Sequence, residues 1–293
     1  LGFVSRKPTK EVRLLIAIST LGKRGRFQET LDSLKQQTDQ NFRLIICDQS
    51  ENCNIADLFD FRGLELKLEI VPTMMRGASL GRNLLWSSSP EDTSHVIFPN
   101  DTSIFDRDFV KEIKRTTGET EIHVLSYEQN GKPRYVFAQG SDPINHSNVW
   151  LVLESATVFS MELLRKVGGF DEKIGTGSST PYQSGEGTDL LLRSLVIQPR
   201  CRWSPDISVH GVPEDYSLTK SAYRKKVRSY GWGYGHLLSK HRFSLRKKIT
   251  SLVGPFIRAI QFKLDFRVAV QIAAGRFLGI VSTRPLPKDR SRK

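Results

Sequence analysis

Val12-Arg13-Leu14-Leu15-Ile16-Ala17-Ile18 and, one helix later, Phe42-Arg43-Leu44-Ile45-Ile46-Cys47 are two nearly unbroken apolar runs. Strands buried on both faces read this way, and they belong to parallel sheets covered by helices. Between the runs, residues 27–37 place Leu31 and Leu34 on one helical face. Strand, helix and strand in that order make a βαβ unit, for which a right-handed crossover is expected. The first run ends on Ser19-Thr20 and the second on Asp48-Gln49-Ser50.

The pattern continues outward. Residues 66–71 read as a third strand. Arg76-Gly77-Ala78-Ser79-Leu80-Gly81-Arg82-Asn83 leads into a helix that stops near Ser87-Ser88-Ser89-Pro90. Residues 95–98 form a fourth strand, halted at Pro99-Asn100-Asp101-Thr102, and residues 106–115 a helix. Residues 122–128 and 133–138 flank Asn130-Gly131, a strong hairpin signal. A strand over residues 150–159, a helix over 161–167 and a last strand over 201–210 follow. Strand ends therefore present Asp48, Asp101 and His210, and open α/β sheets bind ligands beyond the carboxyl ends of their strands.

Residues 167–193 interrupt this order with a loop rich in Gly, Ser, Thr and Pro, a composition that builds no core of its own. It ends on Gly185-Glu186-Gly187-Thr188-Asp189 before Leu190-Leu191-Leu192. Asp189 reads as a helix start, because a carboxylate near the first turn favours the exposed N–H groups there.

A chain of 293 residues with 38% hydrophobic content holds one large α/β domain with an appendage, or two modest domains. Cys47, Cys53 and Cys201 are odd in number and irregular in spacing, which argues against a disulfide framework or a zinc site and for a reducing, cytosolic setting. Residues 1–10 lack an apolar signal region, and no run of 18 apolar residues occurs, so neither export nor a membrane span is expected.

Of the +13 net charge, residues 216–293 carry 19 Lys or Arg against 2 Asp or Glu, a net of +17, leaving −4 on residues 1–215. Two parts are expected: a body over residues 1–215 and a basic extension over 216–293.

In order and position, several short motifs resemble the GT-A fold of the inverting glycosyltransferase family 2, to which many bacterial capsule and exopolysaccharide enzymes belong. They are Ile18-Ser19-Thr20, Asp48, Arg82-Asn83, Asp101, Gly168-Gly169-Phe170-Asp171-Glu172 and Gly185-Glu186-Gly187-Thr188-Asp189-Leu190. The likeness covers residues 11–212. It implies a Rossmann-like, mostly parallel sheet flanked by helices, and transfer of a sugar from a nucleotide donor to a glycan or lipid-linked acceptor in polysaccharide synthesis. Two departures stand out: Asn100-Asp101-Thr102 keeps one carboxylate where the family has two or three, and Glu186-Gly187 replaces a Glu-Asp pair.

Under this resemblance, Thr20, Asp48, Arg76, Arg82 and Asn83 bind the donor. Arg offers a planar fork for phosphate and Asn bonds sugar hydroxyls. Lys23 and Arg24 add positive charge near the pyrophosphate. For Asp48 an ordinary turn role is the alternative. Asp101 would hold Mn²⁺ or Mg²⁺, hard ions that accept carboxylate and phosphate oxygens. His210 would be a second metal ligand, or else a satisfied loop histidine. Glu186 and Asp189 are candidates for the base that takes the acceptor proton; with Gly187 unable to serve, Glu186 stands ahead, and Asp189 would then anchor the helix or assist at the site.

The extension reads as three helical pieces, residues 217–230, 245–260 and 268–281, the second interrupted by Pro255, with residues 285–293 disordered. Its basic amphipathic pattern suits an anionic membrane surface, which places the protein in the cytoplasm, peripherally on the inner face of the membrane. Simple packing on the body is the plain alternative. Nucleic acid is an unfavoured partner, because no nucleic-acid motif accompanies the charge. A catalytically inactive, nucleotide-sugar-binding or scaffold member of the same fold is the competing function.

Overall fold

The computed structural model describes residues 11–22, 26–137, 144–211, 218–263 and 265–283. Its elements are β1 (Leu14–Thr20), α1 (Phe27–Lys35), β2 (Arg43–Asp48), α2 (Ile55–Leu58), β3 (Leu68–Pro72), α3 (Ala78–Ser87), β4 (His95–Ile97), β5 (Ile104–Phe105) and α4 (Phe109–Thr117). There follow β6 (Ile122–Gln129), β7 (Lys132–Pro133), β8 (Thr157–Ser160), α5 (Met161–Val167), α6 (Glu186–Leu195), β9 (Cys201–Gly211), α7 (Lys220–Lys240), α8 (Leu245–Gln261) and α9 (Phe266–Ser282).

The chain forms two compact units. The sheet unit comprises residues 1–76, 80–170 and 190–213, and the helical unit residues 77–79, 171–189 and 214–293. The expected division at residue 215 follows charge along the sequence. The structure also assigns two segments from the middle of the chain to the unit that holds the C-terminal helices.

In the sheet unit the strand order is β3-β2-β1-β4-β8-β6-β9-β5, with β7 paired to β6. Strands β3, β2, β1 and β4 are parallel, as their apolar runs require, and Leu15, Ile16, Ile18, Leu44 and Ile46 are fully buried. Beyond β4 the sheet is mixed rather than mostly parallel. β8 runs antiparallel to both β4 and β6, β9 runs parallel to β6, and β5 antiparallel to β9. Asn130 and Gly131 both take positive φ, 54° and 68°, and form the two-residue turn joining β6 to β7. β7 is only two residues long, and the strand expected over 150–159 shrinks to Thr157–Ser160. The β6–β9 register shifts after Leu125, beside Pro205, which has no N–H to give to the ladder.

In the helical unit α7 runs ten residues past the expected end at residue 230, through Gly231, Gly233 and Gly235. Glycine ordinarily weakens a helix by about 1 kcal/mol relative to alanine. Here Gly231 and Gly235 of α7 meet Gly275 and Gly279 of α9 backbone to backbone. A Cβ on Gly235 would overlap the Arg276 carbonyl, and one on Gly279 the Trp232 carbonyl. Close main-chain contact thus offsets the poor propensity. Residues 285–293 and the loop residues Lys23 and Arg24 lie outside the described residues.

Candidate functional site

At the carboxyl ends of β1 and β2, Thr20 and Asp48 are register partners. The buried Thr20 hydroxyl donates to Asp101 Oδ2 at 2.8 Å and accepts the Gly22 N–H at 3.0 Å. Asp101 follows β4, the other neighbour of β1, so the sheet order itself delivers this pair. Asp48 is wholly buried. Its Oδ1 accepts the Ser50 N–H at 2.9 Å and its Oδ2 the N–H of Ile55, first residue of α2, at 3.0 Å. The turn role left open for Asp48 is therefore the one its contacts display. Gln49 was not singled out, yet it accepts from the Ser19 hydroxyl and donates to the Met75 carbonyl, both at 3.0 Å.

The pair expected to meet the donor is engaged within the protein. Buried Arg82 places Nη2 2.9 Å from Glu154 Oε1, and its guanidinium lies 5.4 Å from the centre of the Phe170 ring. Asn83 Oδ1 accepts the Phe170 N–H at 2.9 Å and the Trp86 indole N–H at 3.0 Å, while its Nδ2 donates to the Phe170 carbonyl at 3.0 Å. Asn83 thus ties α3 to the Phe170 backbone. The two glycines before Phe170 serve this approach. Gly168 and Gly169 both have positive φ, and a Cβ on Gly169 would come within 2.7 Å of the Asn83 amide oxygen and the Trp86 ring nitrogen. Arg76, past the end of β3, is exposed.

His210 lies on β9 opposite Ile104 of β5. Its Nε2 is 3.1 Å from Asp106 Oδ2 and its Nδ1 3.6 Å from Glu128 Oε2, and Glu128 also accepts from the Ser208 hydroxyl at 2.7 Å. Among the described residues no group of three or more His, Cys, Asp or Glu stands ready to hold a metal ion. The two expected ligands have different surroundings, Asp101 against Thr20 and His210 against Asp106 and Glu128. What Asp101 and Thr20 offer is a pair of oxygens. That donor set suits a hard divalent ion only when waters and substrate phosphates complete its shell.

In the helical unit, Glu186 and Asp189 share the first turn of α6 but not its environment. Asp189 is fully buried, with Lys240 Nζ 2.7 Å and His241 Nε2 2.8 Å from its Oδ1. Lys240 also reaches Asp171 Oδ2 at 2.7 Å. Burial pushes the Asp171 carboxyl up, but the hydrogen bond and charge of Lys240 prevail and hold it below the ordinary carboxylate range. Glu186 is only partly buried. A Cβ on Gly175, whose φ is 115°, would lie 3.1 Å from the Glu186 carboxyl carbon and 3.0 Å from the Ser79 hydroxyl. His236 stacks on Tyr182 at 3.8 Å between ring centres, and burial, together with the charge of Lys240, brings its pKa down to about 4. Lys240 and His241 escaped the sequence reading because nothing near them points to an acid 51 and 52 residues earlier.

Two surface clefts lie elsewhere. Both reach the amino ends of the first parallel strands, around Val12 and Arg13, and neither touches a candidate residue.

No family model and no curated protein sequence matches the chain. Solved structures do. The crystal structure of S. aureus TarS superposes with a TM-score of 0.55 at 12% identity, covering 92% of this chain and 54% of that one. The chain therefore spans about half the length of that structure. TarS 1-349 in complex with UDP-GlcNAc gives 0.55 at 13% identity, over 92% and 89%. The mannosyltransferase PcManGT from Pyrobaculum calidifontis, in complex with GDP-Man and Mn²⁺, gives 0.52 at 14% identity, over 94% and 72%. At these identities the likeness establishes the fold: a mixed α/β fold shared with a mannosyltransferase.

Proposed function

We propose that the chain is an inverting glycosyltransferase of family 2 type, moving one sugar from a nucleotide-sugar donor to a glycan or lipid-linked acceptor in polysaccharide synthesis. The observation that supports this most is the Thr20–Asp101 oxygen pair. It sits at the carboxyl ends of adjacent parallel strands, in a fold shared with proteins solved bound to UDP-GlcNAc and GDP-Man.

In this reading the exposed guanidinium of Arg76 meets the donor diphosphate, and Asp101 would hold a divalent ion there. A Mn²⁺ or Mg²⁺ held by Asp101 and the diphosphate would supply neutralisation of the leaving charge. The acceptor hydroxyl attacks the anomeric carbon. A new C–O bond forms while the bond to the diphosphate oxygen breaks, its electron pair leaves with the diphosphate, and the configuration inverts. The hydroxyl proton passes to the carboxylate of Glu186. We assign that role to Glu186, which is only partly buried, because Asp189 is fully buried and its carboxylate is already engaged by Lys240 and His241. Asn83 and Arg82 act as positioning residues, through Phe170 and Glu154.

The competing reading is a member that binds nucleotide sugar without turning it over. Gly187, standing where the family places a second carboxylate, favours it. Glu186→Gln separates the two. A general base contributes about 10²–10⁴-fold in rate and little to ground-state affinity. Transfer should fall by that factor in single-turnover assays over a panel of nucleotide sugars, while calorimetric donor affinity stays within about twofold. Donor binding with no turnover by the wild-type chain on any acceptor would instead establish the inactive reading.

A further inference from the structure

The three C-terminal helices turn apolar side chains outward. On α8, Leu245, Ile249, Val253, Ile257 and Ile260 recur at helical spacing, and all are exposed, Leu245 by 71% and Ile260 by 74%. The opposite side of α8, marked by Ser251, Pro255 and Ala259, is buried. On α9, Phe266, Val270, Phe277 and Val281 form a second exposed stripe, while Ala269, Gly275 and Gly279 are buried. α8 and α9 pack on one another, the half-buried Phe256 ring of α8 lying 5.3 Å from the ring of Phe266 in the α9 stripe. A soluble surface scatters its apolar residues singly, so two adjoining stripes of this length mark an interaction face.

The surrounding charge selects the occupant. Arg246, Lys247, Lys248, Arg258, Lys263 and Arg267 lie along or beside the stripes, and Asp265 is the sole acid over residues 218–283. A second copy of this chain would bring like charges together across the interface, which costs binding free energy. A nucleic acid would use the charge but leave nine large apolar side chains without a partner. An anionic bilayer satisfies both, with hydrocarbon for the stripes and headgroup charge for the bases. No helix among the described residues is long and apolar enough to cross a membrane, so the contact would be in plane.

We infer that α8 and α9 lay their exposed apolar stripes into the interfacial layer of an anionic lipid bilayer, a surface of the kind the cytoplasmic leaflet presents. This inference does not depend on the donor chemistry, and its test contains no sugar nucleotide. The full chain is sedimented with vesicles of phosphatidylcholine alone and of phosphatidylcholine mixed with phosphatidylglycerol, at low and high salt. It should pellet with the mixed vesicles at low salt and be released as salt rises. Each basic side chain near the surface contributes about five-fold in affinity, so Arg246→Gln with Lys247→Gln and Lys248→Gln should weaken binding about 100-fold. Ile249→Glu with Ile257→Glu changes two exposed positions, should keep the wild-type circular dichroism, and should abolish pelleting. Equal pelleting of wild type and the Ile249/Ile257 variant overturns insertion. Equal pelleting with neutral vesicles overturns the anionic requirement. A wild-type dimer in ultracentrifugation that dissociates in the Ile249/Ile257 variant, with no vesicle binding by either, assigns the face to a second copy and overturns the proposal.

Discussion

In the sheet unit Leu15, Ile16, Leu44 and Ile46 are buried to completion, side chain against side chain. In the helical unit the tightest contact is made by Gly231, Gly235, Gly275 and Gly279, while Ile249, Ile260 and Phe277 face outward. The same residue types therefore carry opposite meanings in the two. Bulk is structural in the sheet unit and available for contact in the helical unit. The units also differ in how they enclose polar groups. The sheet unit buries a neutral imidazole, His123, bonded to Thr117 and Ser204, and an ion pair, Arg82 with Glu154. The helical unit gathers a cluster in which one ammonium, Lys240, serves both the fully buried Asp189 and Asp171.

The sharpest way to break this contrast is Lys240→Met. It removes a cation from two carboxylates, one of them fully buried, and should destabilise the helical unit by about 3–5 kcal/mol. Adding Asp189→Leu should restore much of the loss, since no fully buried charge then lacks its counterpart and only the half-buried Asp171 stays without Lys240. Urea unfolding followed by circular dichroism reads both, and equal stability of Lys240→Met and wild type would mean that the ion cluster is not structural.

Next come the glycines. Gly235→Val drives a side chain into the Arg276 backbone and should cost about 3 kcal/mol. Gly254→Ala, in α8, meets nothing within 4 Å of the new methyl and should gain about 1 kcal/mol from helix propensity. A pair of shifts with the same sign would refute main-chain contact as the organising interaction.

The last test is the acid response of the sheet unit, which is absent at neutral pH and appears only as pH falls. Burial, and after it the nearby Arg202, brings the His123 pKa down to about 3, against about 6.5 in the unfolded chain. Unfolding therefore takes up a proton between those values. The contribution of His123 is complete above pH 6.5 and is lost as pH falls toward 3, on the order of 3 kcal/mol by pH 4.5. Urea midpoints across that range should show a steeper slope for wild type than for His123→Gln.

What the chain disclosed of itself follows the same division. The double-sided apolar runs at residues 12–18 and 42–47 could only be buried strands, and Asn130-Gly131 could hardly be anything but a tight turn. The length of α7 was hidden, because Gly231, Gly233 and Gly235 look like punctuation until α9 is seen against them. The acids at strand ends were visible as acids, but not their partners. Asp48 proved to hold local N–H groups, and Asp189 is paired with residues that follow it by more than fifty positions. Asn83 was recognised from its neighbour Arg82, yet its contacts run to Phe170, across a gap no periodicity spans.

The place of β9 has a consequence for synthesis. It lies between β6 and β5, so two strands made early wait for one made late. At a ribosomal pace of about 5–20 residues per second, the stretch from residue 129 to residue 211 takes roughly 4–16 s to appear. Throughout that interval β6 presents an unsatisfied edge on the nascent chain, a template for wrong pairing. Chaperone demand should accordingly concentrate in this window, and ribosome pausing between β6 and β9 should lower the yield of folded protein more than pausing after residue 211.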